Sequence, residues 1–428
     1  MRIRSGISSV VAAIALIGAS ALSAQTIAIT GGKVYPVSGP VIENGTVLVR
    51  DGKIVAVGAN VTVPNDATRI DATGKWVTPG LINALTGLGV SEIGQVQATV
   101  DRRARGDSGV AASFPVWEGI NPASTMFQPA RNAGITSVVV VPFGGLIAGQ
   151  AALIDLVPGR LSDMINKAPV AMVAQFGDAQ SAGSAARGEQ YVRLKELLED
   201  ARTYARRRAE FERAQTRPFA ARRADLEALI PVVEGRLPLM VNADQASDIT
   251  AVLRLARETN VKVIILGGTE AWSVADRLAA ANVPVAVGSM DNIPQSFATL
   301  GARQDSPALL QRAGAKLVLI GNGSGDDQVF NVRNIKYDAG VAVAYGLSWD
   351  DALRSITLTP AEVFGVANRI GSLQPGRDAN IVVWSGDPFE FATRVEHVLI
   401  RGREVEGPSR QDELMQRYRT YPPAYRKP

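Results

Sequence analysis

Trp76-Val77-Thr78-Pro79-Gly80-Leu81-Ile82-Asn83-Ala84-Leu85-Thr86-Gly87-Leu88-Gly89 stands where one kind of β-structure gives way to another. Upstream, Arg69 to Val77 reads as a strand pair. Before it, Thr46-Val47-Leu48-Val49-Arg50 and Lys53-Ile54-Val55-Ala56-Val57 flank Asp51-Gly52, the signature of a hairpin with a type I′ turn. The far end has the same character: Asn380 to Trp384 reads as a strand, and His397 to Ile400 turns at Arg401-Gly402 into Arg403-Glu404-Val405. Downstream of Gly80 the pattern changes. Leu81 to Asn83 is the first of a series of apolar runs, followed by Ile135 to Val141, Val170 to Phe176, Leu239 to Asn242, Val261 to Leu266, Val283 to Val287 and Leu317 to Ile320. Helical stretches such as Ala246 to Glu258, Ala271 to Ala281 and Pro307 to Ala313 lie between them. Continuous apolar strands separated by helices predict parallel strands buried on both faces. The expected fold is α/β: a (β/α)8 barrel, its eighth strand ambiguous, with a small β-sandwich domain formed by both chain ends. Barrels of this kind keep their sites at the strand C-terminal ends.

The 428-residue chain is long enough for more than one domain. Arg2 and Arg4, the apolar run Val10 to Ile17 and the small residues up to Ala24 predict a signal peptide, residues 1–24, and hence a periplasmic protein without a membrane anchor. Cysteine is absent, which excludes disulfides, thiolate metal sites and a cysteine nucleophile. The formal charge is +4, and two of those charges lie in the signal, which is too little to argue for nucleic acid. The arginines between Arg202 and Arg223 are interleaved with acids at helical spacing, as on a solvated helical pair.

With these elements in place, the chain resembles the amidohydrolase superfamily, in particular its imidazolonepropionase-like and dipeptidase-like branch. Pro79 to Gly89 resembles the barrel entry, where the family writes Pro-Gly-Leu-Ile-Asp-x-His-x-His. Gly134 to Pro142 with the loop Gly144 to Gln150, and later Ser355 to Ala361 followed by Ile370 to Asn380, resemble the next strand and loop and the return to the sheet domain. The resemblance implies residues 25–79 and 368–408 as the two parts of a composite β-sandwich, 80–367 as the barrel and 409–428 as a tail.

The same resemblance implies a zinc-dependent hydrolase of carbon–nitrogen bonds, and at its metal positions this sequence departs from the family. The paired histidines fall on Leu85 and Gly87, later ones on Asn242 and on or beside Gly267, and the catalytic aspartate on Asn322. No lysine lies between Met172 and Asp178, where a bridging residue is expected, and the one histidine of the chain is His397, on a strand of the sheet domain. A hydrolytic zinc needs several nitrogen or oxygen ligands at about 2 Å and an open position for water. Leucine and glycine offer none, and an asparagine amide cannot act as the aspartate base. The expectation is therefore a metal-free degenerate member with no cofactor, a ligand-binding or partner subunit.

Asn83, Gln150, Asp178, Asp244, Glu270 and Asp326 are further pocket candidates, because they sit at or after barrel strands. The neutral ones suit a hydrogen-bonding ligand pocket. The acids allow an alternative, an active hydrolase of dipeptide or non-peptide carbon–nitrogen bonds working through Asp178, Glu270 or Asp326. Solvated loop carboxylates are the plainer reading of these acids. Gly321-Asn322-Gly323-Ser324-Gly325 after a strand is a weak dinucleotide signal and a better barrel loop. Expected partners are a small molecule in the barrel mouth and a second copy or an active amidohydrolase relative. Nucleic acid is not among them.

Overall fold

The computed structural model describes residues 26–104, 109–177, 186–290, 294, 296–321, 327–405 and 407–419. Residues 1–24, expected above to be a signal peptide, and Asp178, Asn322 and Asp326 lie outside the described residues.

Both chain ends build one sheet. Strands β1 (Thr26–Val34), β2 (Ile42–Arg50), β3 (Lys53–Gly58), β4 (Thr68–Asp71) and β5 (Trp76–Pro79) come from the front of the chain. A second sheet follows in sequence: β6 (Leu81–Thr86), β7 (Ile135–Val140), β8 (Ile147–Asp155), β9 (Ile165–Gln175), β10 (Leu239–Ala243), β11 (Val263–Gly267), β12 (Val285–Val287) and β13 (Leu317–Leu319). The chain then returns to the first sheet with β14 (Ile381–Trp384), β15 (Val395–Ile400) and β16 (Arg403–Glu404). The first sheet has the order β16-β15-β14-β5-β1-β2-β3, so β5 and β14, from opposite ends of the chain, pair at its centre.

Two turns lock this arrangement. Asp51 and Gly52 have φ of 52° and 75°, and Arg401 and Gly402 have 48° and 71°. Positive φ at both central residues is the type I′ geometry that glycine adopts without steric cost. The two tips meet backbone to backbone: a Cβ on Gly52 would stand 2.7 Å from the Arg401 carbonyl oxygen, and one on Gly402 2.7 Å from Gly52 Cα.

The second sheet runs in sequence order from β6 to β13, and β13 returns alongside β6. Its inward side chains, among them Ile82, Ala84, Val139, Val173, Met240 and Ile264, pack with Ala361, Phe364 and Val366, which plug the lower end. The outward ones, such as Leu81, Val138 and Ile265, pack against the helical layer. Helices α1 (Arg187–Arg206), α2 (Arg223–Val233) and α3 (Ala246–Thr259) belong to that layer. The arginine-rich stretch carries ion pairs as its spacing predicted, including Arg223 to Glu227 at 3.1 Å.

The ambiguous eighth strand is β8, and it corrects the all-parallel expectation. It runs antiparallel to both β7 and β9. Part of the stretch read as a loop, Ile147 to Gln150, is thus its first half. An antiparallel neighbour needs only a short connection, which the chain between Val140 and Ile147 supplies without a crossover helix. The other neighbouring pairs of this sheet are parallel. No helix among the described residues is long and apolar enough to cross a membrane.

Candidate functional site

The C-terminal ends of β6, β7 and β9 to β13 converge on one rim, the barrel mouth. Three clusters of side chains occupy it.

The first lies over the end of β6. Leu85 turns inward onto the barrel's apolar interior. Gly87 leaves a space that Arg102 fills: a Cβ on Gly87 would stand 2.6 Å from Arg102 Nη1 and 3.3 Å from Val329 Cγ2. Arg102 is only 8% exposed and donates from Nη2 to Gln328 Oε1 at 2.9 Å. Its guanidinium also lies 5.5 Å from the Phe143 ring centroid. The Gly87 amide donates to the Gln328 carbonyl at 3.0 Å, which ties the strand end to the same residue.

The second cluster joins β9, β10 and β11. Asn242 Nδ2 donates to Gln175 Oε1 at 3.0 Å, and Gln175 is 3% exposed. Gly267 has φ of 85°, and a Cβ there would stand 2.7 Å from both Asn242 Oδ1 and Asp244 Oδ1. Asp244 Oδ1 accepts from Thr269 Oγ1 at 2.7 Å. Glu270 sits one step further out, where its Oε2 accepts from the Ala246 amide at 2.9 Å and caps α3.

The third lies at the seam between β6 and β13. Asn83, 1% exposed, donates to the Val332 carbonyl at 3.2 Å and accepts from the Leu85 amide at 3.2 Å. A Cβ on Gly321 would lie 3.3 Å from Asn83 Nδ2 and 4.0 Å from the buried Asp338 carboxylate.

The structure thus brings Leu85, Gly87, Asn242, Gly267, Asn83 and Asp244 to the mouth, with Glu270 on its rim. Gln150 stands apart: it lies within β8 and donates to the Ala112 carbonyl at 3.0 Å, holding the 109–115 segment. His397 pairs with Glu404 in the other sheet, Nδ1 to Oε1 at 2.5 Å. Sequence reading missed Arg102, Gln175 and Asp338. Gln175 had a signal, being the last polar residue of an apolar run; Arg102 and Asp338 had none, since their positions depend on loop and helix packing.

Residues 242–405 match the family model of the amidohydrolase family. The amidohydrolase of Thermotoga maritima has the same fold with a TM-score of 0.80, at 27% identity over 89% of this chain and 100% of that one. In sequence and fold the chain is similar to the amidohydrolase superfamily. Among curated relatives, the dihydroorotase of Pelotomaculum thermopropionicum is 26% identical over 89% of this chain and 95% of its own length. The amidohydrolase tasK of Hapsidospora irregularis is 24% identical over 84% of this chain, which spans 39% of that longer protein.

The likeness to this superfamily implies a metal, and the described residues do not fit one. Leu85, Gly87 and Gly267 bring no donor atom. Asn242 brings a neutral amide whose nitrogen already donates to Gln175. A guanidinium stands against Gly87, and a fixed cation beside a divalent ion is repulsive. Among the described residues no three His, Cys, Asp or Glu side chains are grouped to hold a metal ion.

Proposed function

We propose that this protein is a degenerate, metal-free member of the amidohydrolase superfamily, exported to the periplasm, whose barrel mouth serves as a ligand-binding site or as the face of a partner subunit. The observation that carries the reading is the filling of the vacated ligand space. Arg102 takes the room beside Gly87, and Asn242 with Asp244 takes the room beside Gly267. Loss of a ligand by substitution is reversible in geometry; occupation of its volume by a buried, hydrogen-bonded side chain is not. The amides of Asn83, Asn242 and Gln175 suit a neutral, polar small molecule. The apolar run near the N-terminus supports export.

A second reading, an active hydrolase of amide or dipeptide carbon–nitrogen bonds, draws on the enzymes among its relatives and on the carboxylates of Asp244 and Asp338 at the mouth. One experiment separates the two. The purified protein is analysed for bound metal and assayed against amide, dipeptide and lactam substrates with and without chelator. The first reading expects substoichiometric zinc and no turnover. Stoichiometric zinc overturns it, and turnover that persists under chelation favours the second.

A further inference from the structure

A groove of about 1180 Å³ lies at the opposite end of the barrel, on the face formed by the strand N-termini. Its lining carries seven lysine or arginine side chains and a single acid, Glu362. The chain as a whole carries 45 basic and 41 acidic residues, so this imbalance is local. Glu362 is already engaged by Arg354 at 2.7 Å. Of the cations, Arg236 pairs with Glu234, and Arg254 lies over the Tyr191 ring at 4.6 Å. Among the described residues no ion pair engages Lys167, Arg257, Lys262, Arg277 or Lys316.

Arg257 and Arg277 stand in last turns of helices, where a cation complements the helix dipole. Lys262 and Lys316 have no such role. Each immediately precedes a barrel strand, β11 and β13, which are separated only by β12, so their backbones stand about 10 Å apart. Like charges held close without counter-charges cost stability, so the fold itself does not call for them. Beneath the cations the accessible walls are apolar, with the half-buried Pro169, Pro238, Leu253, Pro284 and Val363 among the lining.

We propose that this groove binds an amphiphilic phosphate: a phosphate head set among Lys262, Lys316 and Arg277, and an apolar body laid on the floor. The site is independent of the barrel mouth, which lies across the length of β11, about 15 Å away. A phosphate head answers the clustered charge, and an apolar body answers the floor that an inorganic anion leaves uncovered.

The test uses the full mature chain and calorimetric titration with inorganic pyrophosphate, with dodecyl phosphate below its micelle concentration, and with phosphatidylcholine vesicles with or without phosphatidic acid. Dodecyl phosphate is expected to bind about tenfold or more tightly than pyrophosphate, the free-energy equivalent of burying a few methylenes. The K262E/K316E variant, and separately R277E, should weaken it by about tenfold or more, while R403E on the other sheet leaves it unchanged. All four positions are exposed, so the variants should fold, and circular dichroism checks this. Binding to phosphatidic-acid vesicles but not to soluble dodecyl phosphate supports the site and places the head group in a membrane. Equal affinity for the two soluble probes, no binding to any, or binding that survives both charge reversals overturns the proposal.

Discussion

Arg102 Nη1 lies 2.6 Å from the point where a side chain on Gly87 would begin. The residue that replaces an expected imidazole is thus not an empty position but one closed by a cation from a neighbouring loop. Glycine is what allows the guanidinium in, and the guanidinium in turn is what glycine must leave room for.

That relationship makes Gly87→His a test. Alone it overpacks a buried site and should lower stability by roughly 1–3 kcal/mol in denaturant titration. Combined with Arg102→Ala the cost should shrink, with a coupling of at least about 0.5 kcal/mol in the double-mutant cycle. Additive costs would show that the two side chains do not compete for one volume.

The amide pair of Asn242 and Gln175 gives a second. Asn242→Leu keeps the volume and removes the donor to Gln175, which is buried. An unsatisfied buried acceptor costs about 1–3 kcal/mol, measurable as a fall in the unfolding midpoint at unchanged m-value. Replacing both residues by apolar ones should recover part of that loss.

A third concerns the joint between the two sheets. Asp155 on β8 is fully buried and accepts from Ser137 Oγ at 2.7 Å, from Asn166 Nδ2 at 2.9 Å and from Arg401 Nε at 2.8 Å. Arg401 is the tip of the β15–β16 turn, so this carboxylate ties barrel to sheet. Asp155→Ala leaves Arg401 without its counter-charge and should cost about 3–5 kcal/mol. Arg401→Met should cost a comparable amount, because it leaves a fully buried carboxylate with two neutral donors and no counter-charge.

Lys336 supplies a pH dependence. It is buried between the Tyr337 and Trp384 rings, and desolvation lowers the pKa of its ammonium below the usual 10.5. A base whose folded pKa is lowered penalises the folded state wherever both states are protonated, and the penalty fades as pH rises through the lowered value toward the unfolded one. Lys336→Met should therefore raise Tm at neutral pH, by about 2 °C per kcal/mol relieved in a chain of this size. The advantage over the unsubstituted protein should narrow in the alkaline range. A gain that stays constant up to pH 11 would speak against desolvation as its source.

Much of the fold was readable from local patterns. The strand runs after Gly80, the helix at Ala246, the type I′ turn at Asp51-Gly52 and the turn at Arg401-Gly402 depend on side-chain periodicity and on the conformational freedom of glycine beside an Asp or Arg. These are properties of neighbours in sequence. The antiparallel β8 was not readable, because a fully buried strand has the same composition whichever way it runs, and only the short connection before it sets its direction.

The candidate site divides in the same way. That no imidazole reaches the positions 85, 87, 242 and 267 is written in the residue types alone, since a side chain without a donor atom cannot ligate in any fold. What took over the space was decided by tertiary structure. Arg102 arrives from a loop, Asp338 from a helix after the last barrel strand, and Gln175 meets Asn242 only because β9 and β10 lie side by side. Volume is shared between residues that are distant along the chain, and the packing of the whole barrel settles which one fills it.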